Sequence, residues 1–289
     1  MGLRTWSGTW TSQRWRKQAK ALLLYAIVVV ACVLAFFPVY WMIVTAMLSP
    51  NNIFVYPPTL FPPQLSLDSF KQIVESKPVL TWFGNTIFIS ATTTLLALFF
   101  STFGAYSLSR FRYRGRVMMI ALILITQMLP VPLFVIPLYV IFRDLQLLDT
   151  FAGLVVAYTT FTLPLCVWTL KGFFDGVPVE IEEAAMIDGC SRVGALFRIV
   201  LPLSLPGLAA TTIFALINCW NEFILPLTLI NSQSQWVMSV GLSSFIGEYL
   251  IPWNQIAAAA IVMVLPIVVA FAFLQQYLIS GLASGGVKG

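Results

Sequence analysis

The chain contains no histidine among its 289 residues, and only 9% of them are charged. Without an imidazole, histidine-based acid–base catalysis, proton shuttling and imidazole metal ligation are excluded. A soluble domain of this length carries charges on roughly a quarter of its residues, so water is not the solvent for most of this surface. Cysteine is also scarce: there are four, with no CxxC pair. Cys32, Cys166 and Cys219 fall inside apolar runs and Cys190 in a polar stretch, so they read as small unpaired side chains, not as a redox or metal site. Missing too is the alternation of apolar and polar residues that a membrane β-barrel needs.

What abounds is apolar surface: 59% of the residues are hydrophobic, and the mean hydropathy is +0.90. A hydrocarbon core of about 30 Å needs roughly 20 helical residues. Six stretches reach that length, from Ala21 to Leu48, Phe83 to Ser109, Val117 to Phe142, Phe151 to Leu170, Leu205 to Ile230, and Ile256 to Ser280. Helices are required because lipid satisfies no backbone N–H or C=O. The expected fold is therefore an all-α integral membrane protein with six transmembrane helices in one domain over residues 21–280. Residues 1–20 precede it as a cytoplasmic segment and residues 281–289 follow as a cytoplasmic tail. The first span follows basic residues, but it is too long for a signal core and lacks a small-residue cleavage site, so it is expected to be retained.

The formal charge of +5 comes from residues that flank the apolar spans and do not alternate with aromatics, which speaks for membrane topology and against nucleic acid. Thirteen of the sixteen lysines and arginines fall in the N-terminal segment, the second-to-third connection, the fourth-to-fifth connection or the tail. Only Lys71, Lys77 and Arg143 fall on the other side. Cationic loops stay cytoplasmic, so both termini are expected inside. The proline-rich segment from Ser49 to Thr81 and the segment from Asn231 to Gln255 then lie outside. They are expected to be ordered connections capped by interfacial aromatics such as Trp82, Trp236 and Trp253, or to receive an extracytoplasmic partner.

The fourth-to-fifth connection, residues 171–204, is polar, amphipathic and too long for a turn. Pro178 suits the first turn of a helix, Glu180, Glu182 and Glu183 suit its positive end, and Gly189 suits a left-handed cap. A short helix is predicted from Pro178 to Asp188, and a second after Ser191 as N-cap, ending before Pro202. Ile181, Ala184, Ala185 and Asp188 share a face of the first, and the alanines leave room for close approach by a partner.

Glu183-Ala184-Ala185, three residues, Gly189, nine residues, then Ile199, Val200, Leu201 and Pro202, resembles the EAA loop of ABC importer permeases of the binding-protein-dependent type. Trp220-Asn221-Glu222-Phe223 and the C-terminal Val287-Lys288-Gly289 resemble that family's carbohydrate branch, to which the smaller membrane subunit of the maltose permease belongs. The resemblance implies a non-catalytic subunit of an importer in a bacterial or archaeal cytoplasmic membrane, moving a sugar or oligosaccharide by alternating access. The loop would form coupling helices seated in a cleft of a separate ATPase. This chain has no GxxxxGK[ST] loop, so ATP and Mg²⁺ would bind the partner alone. Glu183 would pair with a basic group there, Gly189 would allow the turn, Ala184 and Ala185 would permit docking, and Asp188, Ile199, Leu201 and Pro202 complete the motif. The implied partners are a second homologous permease, a dimer of ATPase subunits, an extracytoplasmic substrate-binding protein and membrane lipid.

Polar residues inside the spans are costly, about 2.5–3.5 kcal/mol for a mid-membrane carboxylate, so they mark contacts or a path. In the fifth span Asn218, Asn221 and Glu222 interrupt apolar sequence. Glu222 either bonds a neighbouring helix or lines the solute path. In the third, Gln127 precedes Pro130, Pro132 and Pro137, which must kink or break it. A secondary transporter would show internal repeats and several intramembrane ionisable groups, a channel would need no coupling loop, and a membrane enzyme would bring nucleophile, base and orienting group together. None of these patterns appears. A secondary transporter, or an importer of a non-sugar solute such as a sugar phosphate, remains the alternative.

Overall fold

A computed structural model describes residues 9–61, 65–247 and 251–285, with side chains described for 17–61, 65–247 and 251–277. Arg4, Pro62, Pro63, Gly286 and the Val287-Lys288-Gly289 end lie outside the described residues. Within them the chain is helical, with no strand. The contacts divide it into two units, one of residues up to Lys71 together with Trp253–Ala258, the other of Gln72–Pro252 together with the residues from Ala259.

The first unit contains α1, Thr9–Met47, and the start of α2, Asp68–Ser76. Helix α1 begins ahead of the apolar stretch, and residues 17–39 are exposed throughout. That suits a helix whose natural surroundings are lipid. Helix α2 was not expected in the proline-rich segment; Ser66 Oγ accepts from the Asp68 amide at 3.0 Å and starts it, while Asp68 places a carboxylate in its first turn. Asn254 donates to Ser69 Oγ at 3.0 Å, which satisfies two buried polar groups together.

The second unit is built on α3, Val79–Arg110, followed by α4, Arg116–Met128, a 3₁₀ turn Val131–Phe134, α5, Val135–Asp144, and α6, Phe151–Asp175. The polar fourth-to-fifth connection forms α7, Val179–Ile187, α8, Arg192–Ala195, a π-turn Leu196–Val200 and α9, Leu201–Leu203. Then come α10, Leu205–Asn221, α11, Ile224–Leu229, α12, Met238–Ser243, and α13, Trp253–Gly285, most of which belongs to this unit.

Helix α3 packs chiefly on α6 and α10. Its buried face repeats every three to four residues through Thr86, Ser90, Thr93, Thr94, Ala97, Ser101 and Ala105. Small residues let backbones approach where lipid offers no hydrophobic drive: Ala97, Cys166 and Ala215 meet with no exposure at all. Hydroxyls on these faces fold back on their own helices, as in Thr86 to Trp82 O at 2.7 Å and Thr211 to Gly207 O at 2.8 Å. The opposite side of α3 exposes Leu95, Phe99 and Phe100.

Among the described residues four helices are long and apolar enough to cross a membrane: Lys17–Met47, Val79–Arg110, Phe151–Asp175 and Trp253–Tyr277. The count rises to six if two bent pairs are each one span, Arg116–Met128 with Val131–Asp144 at 98° and Arg192–Leu203 with Leu205–Asn221 at 82°. The first break falls at Leu129–Pro130, where the prolines of the third stretch forbid a straight helix.

Three expectations are corrected. The fifth stretch is not one helix from Leu205 to Ile230, because it breaks at Glu222–Phe223. The second helix of the fourth-to-fifth connection does not stop before Pro202 but runs on through Leu203; the Leu201 amide donates to Leu196 O across the π-turn, and this wider turn accommodates the proline. Trp82 is no interfacial aromatic either. It is fully buried, its Nε1 donates to Gln233 O at 2.9 Å, and its ring lies 5.7 Å from that of Trp236.

Candidate functional site

Two places collect the polar residues that the sequence singles out. The first is the helix-turn-helix of the fourth-to-fifth connection. Pro178 is the N-cap of α7, Glu180 and Glu182 lie in its first turn, and Gly189 follows its end at φ +93°, the left-handed region that glycine alone enters freely. The Cys190 amide closes the turn on Ala185 O at 2.9 Å. Ser191 then caps α8, its Oγ accepting from the Gly194 amide at 3.1 Å.

The motif residues divide by exposure. Ile181, Glu183, Ala184, Ile187, Asp188 and Gly189 are exposed, and so is Pro202. Ala185, Ile199 and Leu201 are half-buried, and Leu201 packs on the cluster of Ala105, Tyr106, Leu170, Phe174, Leu196 and Val200. The motif thus has an outward face and an anchored one.

Sequence reasoning did not single out the anchor. Glu182, next to Glu183, is 2% exposed. Arg110 Nε donates to its Oε2 at 2.7 Å, and the Tyr106 hydroxyl donates to its Oε1. A carboxylate this deep needs such partners, since removing one member of a buried pair costs about 3–5 kcal/mol. The available signal was the opposition of two loops on the same face, Arg110, Arg112, Arg114 and Arg116 against Glu180, Glu182 and Glu183.

The second place is a cavity of ≈ 170 Å³ bordered by Gln127, Tyr158, Phe161, Thr162, Asn218 and Glu222 among others. Three of the four span residues proposed for a path meet here; Asn221 is exposed and is not among the cavity residues. Leu129, beside the break that follows α4, also borders the cavity, as does Glu222, at the break between α10 and α11. Interrupted backbone at membrane depth is tolerated where it lines protein or water, which explains why both breaks converge.

Glu222 acts locally as well. Its Oε1 accepts from the amides of Ile224 at 2.9 Å and Leu225 at 3.1 Å, so the carboxylate caps α11 across the break. Its carbonyl accepts from Ser239 Oγ at 2.6 Å. Asn218 spends an amide hydrogen on Phe214 O at 2.8 Å. The Tyr158 hydroxyl, on a residue 3% exposed, has no hydrogen-bond partner among the described residues. Phenol, amides, carboxylate and aromatic rings in one cavity suit a neutral, hydroxyl-rich solute.

Elsewhere in the second unit, Asp149 joins two connections: its Oδ1 accepts from the amides of Asn231 and Ser232, both at 2.9 Å, and its Oδ2 from the Ser232 hydroxyl. Lys77 Nζ donates to Ser244 O at 2.6 Å and lies 4.6 Å from the centre of the Phe245 ring.

Residues 97–284 match the family described as binding-protein-dependent transport system inner membrane component. The chain is 34% identical over 253 residues to the sulfoquinovosyl glycerol transport system permease protein of Agrobacterium fabrum, covering 88% of this chain and 89% of that one. It is 35% identical over 253 residues to the diacetylchitobiose uptake system permease protein of Streptomyces coelicolor, covering 88% and 92%. In fold it resembles a chain of a bacterial ABC transporter involved in the import of the acidic polysaccharide alginate, with TM-score 0.78, 21% identity and coverage of 91% and 97%.

Proposed function

The chain belongs to the family of inner membrane components of binding-protein-dependent transport systems, and from that premise we propose that it is a permease subunit importing a sugar or oligosaccharide. The observation that carries the coupling half of this reading is the face of α7 that presents Ile181, Glu183, Ala184 and Asp188 to solvent while Glu182 is locked inward. A helix anchored on one side and free on the other is the form of a lever.

In this reading a dimer of ATPase subunits binds ATP and Mg²⁺ and receives α7, with Glu183 pairing a basic group, Ala184 allowing close approach and Gly189 making the turn. A second homologous permease completes the pathway, and an extracytoplasmic binding protein delivers the solute. The chain itself performs no catalysis. In this reading the chain crosses six times with both termini in the cytoplasm, the third crossing through the bent pair α4–α5 and the fifth through α10, which bends from α8–α9 at its start. Closure of the ATPase dimer moves α7 and reorients the helices around the cavity, which then opens alternately to each side. Relatives named for a sugar conjugate and an oligosaccharide support the solute class, and so does the polar and aromatic cavity bordered by Gln127, Tyr158, Asn218 and Glu222.

The test is ATP-dependent uptake in vesicles reconstituted with the partner subunits. Gly189→Arg, strained at φ +93° and bulky on the docking side, is expected to leave the protein in the membrane while abolishing ATP-driven uptake. Full uptake by this variant would overturn the coupling role.

A further inference from the structure

Glu182 sits between exposed neighbours yet is almost completely buried, and a single turn of α3 holds its carboxylate. Tyr106, Ser109 and Arg110 are three and four residues apart, so they share one face. From that face Tyr106 and Arg110 hold both oxygens of Glu182. Arg110 Nη2 donates to Val177 O at 3.0 Å, in the turn before α7, and Ser109 Oγ donates to Asp175 Oδ1 at 2.7 Å, at the end of α6. The Tyr106 hydroxyl also lies 3.3 Å from the carbonyl of Arg192, which opens α8. Asp175, Val177, Glu182 and Arg192, spread along the segment, are therefore each tied to the last turn of α3.

We infer that Tyr106, Arg110 and Glu182 form the rigid joint of the lever, positioning residues that carry a displacement of α7 into α3. The inference rests on the proposed importer function. Apolar packing alone lets a short helix slide or roll, whereas a buried ion pair with a third hydrogen bond has one geometry and resists shear. Helix α3 in turn packs on α6 and α10, so a push received at α7 reaches the cavity-lining helices through this joint. With the joint loosened, α7 would stay docked on its partner and pivot in the turn that contains Val177.

The test uses the complex purified with its native partners and reconstituted in vesicles. Its readouts are the amount of ATPase co-purifying with the chain and the solute imported per ATP hydrolysed. Glu182→Gln and Arg110→Met are expected to retain the ATPase but import about tenfold less solute per ATP, within the range of known coupling energies. The exchange variant Arg110→Glu/Glu182→Arg is expected to recover much of the loss. Tyr106→Phe, which removes one hydroxyl and keeps the ring, is expected to lower the same ratio severalfold, and it decides the matter if the charge variants do not reach the membrane. An unchanged ratio in these variants overturns the joint, as does loss of the ATPase that the exchange does not restore. If the wild-type chain co-purifies with no ATPase, it is the importer reading that fails.

Discussion

Glu182 and Glu183 are chemically identical neighbours with opposite surroundings, one buried on Arg110 and the other exposed. Helical spacing alone puts both near the positive end of α7; which one turns inward depends on where α3 ends, a tertiary fact invisible in a local window. Asp149 is a similar case, an unremarked loop residue whose hydrogen bonds from the Ser232 hydroxyl and amide, and from the Asn231 amide, hold its carboxyl below the ordinary 3.8. A lowered pKa in the folded state contributes stability that is fully present above the unfolded value of about 3.9 and is lost as pH falls through the folded value. Asparagine tolerates the φ of +56° at this position, so Asp149→Asn removes the charge without backbone strain. Thermal unfolding in detergent is expected to show the wild type losing more stability than Asp149→Asn between about pH 5 and about pH 3; equal losses would refute the assignment. At Gly241 an added Cβ would lie 2.1 Å from the Trp82 ring, which its hydrogen bond to Gln233 keeps from swinging away. Gly241→Ala is expected to cost about 1–3 kcal/mol, while Gly84→Ala, with nothing within 4 Å, serves as a near-neutral control. Calorimetric or fluorescence melting of the two variants checks this.

At the scale of elements, local signals carry furthest where the chemistry is local. Pro178, Gly189 and Ser191 mark α7 and α8 because N-caps and left-handed caps depend on a few adjacent residues. The break between α10 and α11 is different: Asn221 and Glu222 stand out as polar residues in apolar sequence, but a continuous helix fits the hydropathy equally well. The deciding groups are the amides of Ile224 and Leu225, which take the Glu222 carboxylate, and Ser239, seventeen residues on, which takes its carbonyl. Glu222 therefore has a structural duty and a place on the cavity wall at once, and substitutions separate them. Glu222→Gln keeps an oxygen for the cap and removes the charge; Glu222→Ala removes both, at about 1 kcal/mol for a lost cap. The expected pattern is a raised KM for uptake in both variants, with reduced melting temperature in the alanine variant alone. Unchanged KM in Glu222→Gln would confine this residue to capping.

At the scale of the whole molecule, apolar length and charge bias in the sequence expose the long helices, and the bent pairs are where counting apolar residues ceases to suffice. Helix α4 has 13 residues and α5 has 10, about 20 Å and about 15 Å at the usual rise, so neither limb alone crosses a core of about 30 Å. If the two limbs share the 98° bend equally, together they advance about 23 Å, and the 3₁₀ turn between them adds a few more. That is close to a crossing in a bilayer that thins slightly, with Arg116 at one end and Arg143 and Asp144 at the other as interfacial anchors. A re-entrant loop would instead return both ends to one face, and would bring Arg143 to the side that already holds most of the cations. Crossing and re-entry differ in one observable. In a chain whose natural cysteines are replaced by serine, Arg112→Cys and Gln146→Cys both occupy exposed positions flanking the pair. A membrane-impermeant maleimide is expected to label Gln146→Cys from outside intact cells and Arg112→Cys only in inverted vesicles, because a crossing separates the two positions by the full bilayer. Labelling of both from the same side would make the pair a re-entrant loop, leave an odd number of crossings, and move one terminus out of the cytoplasm.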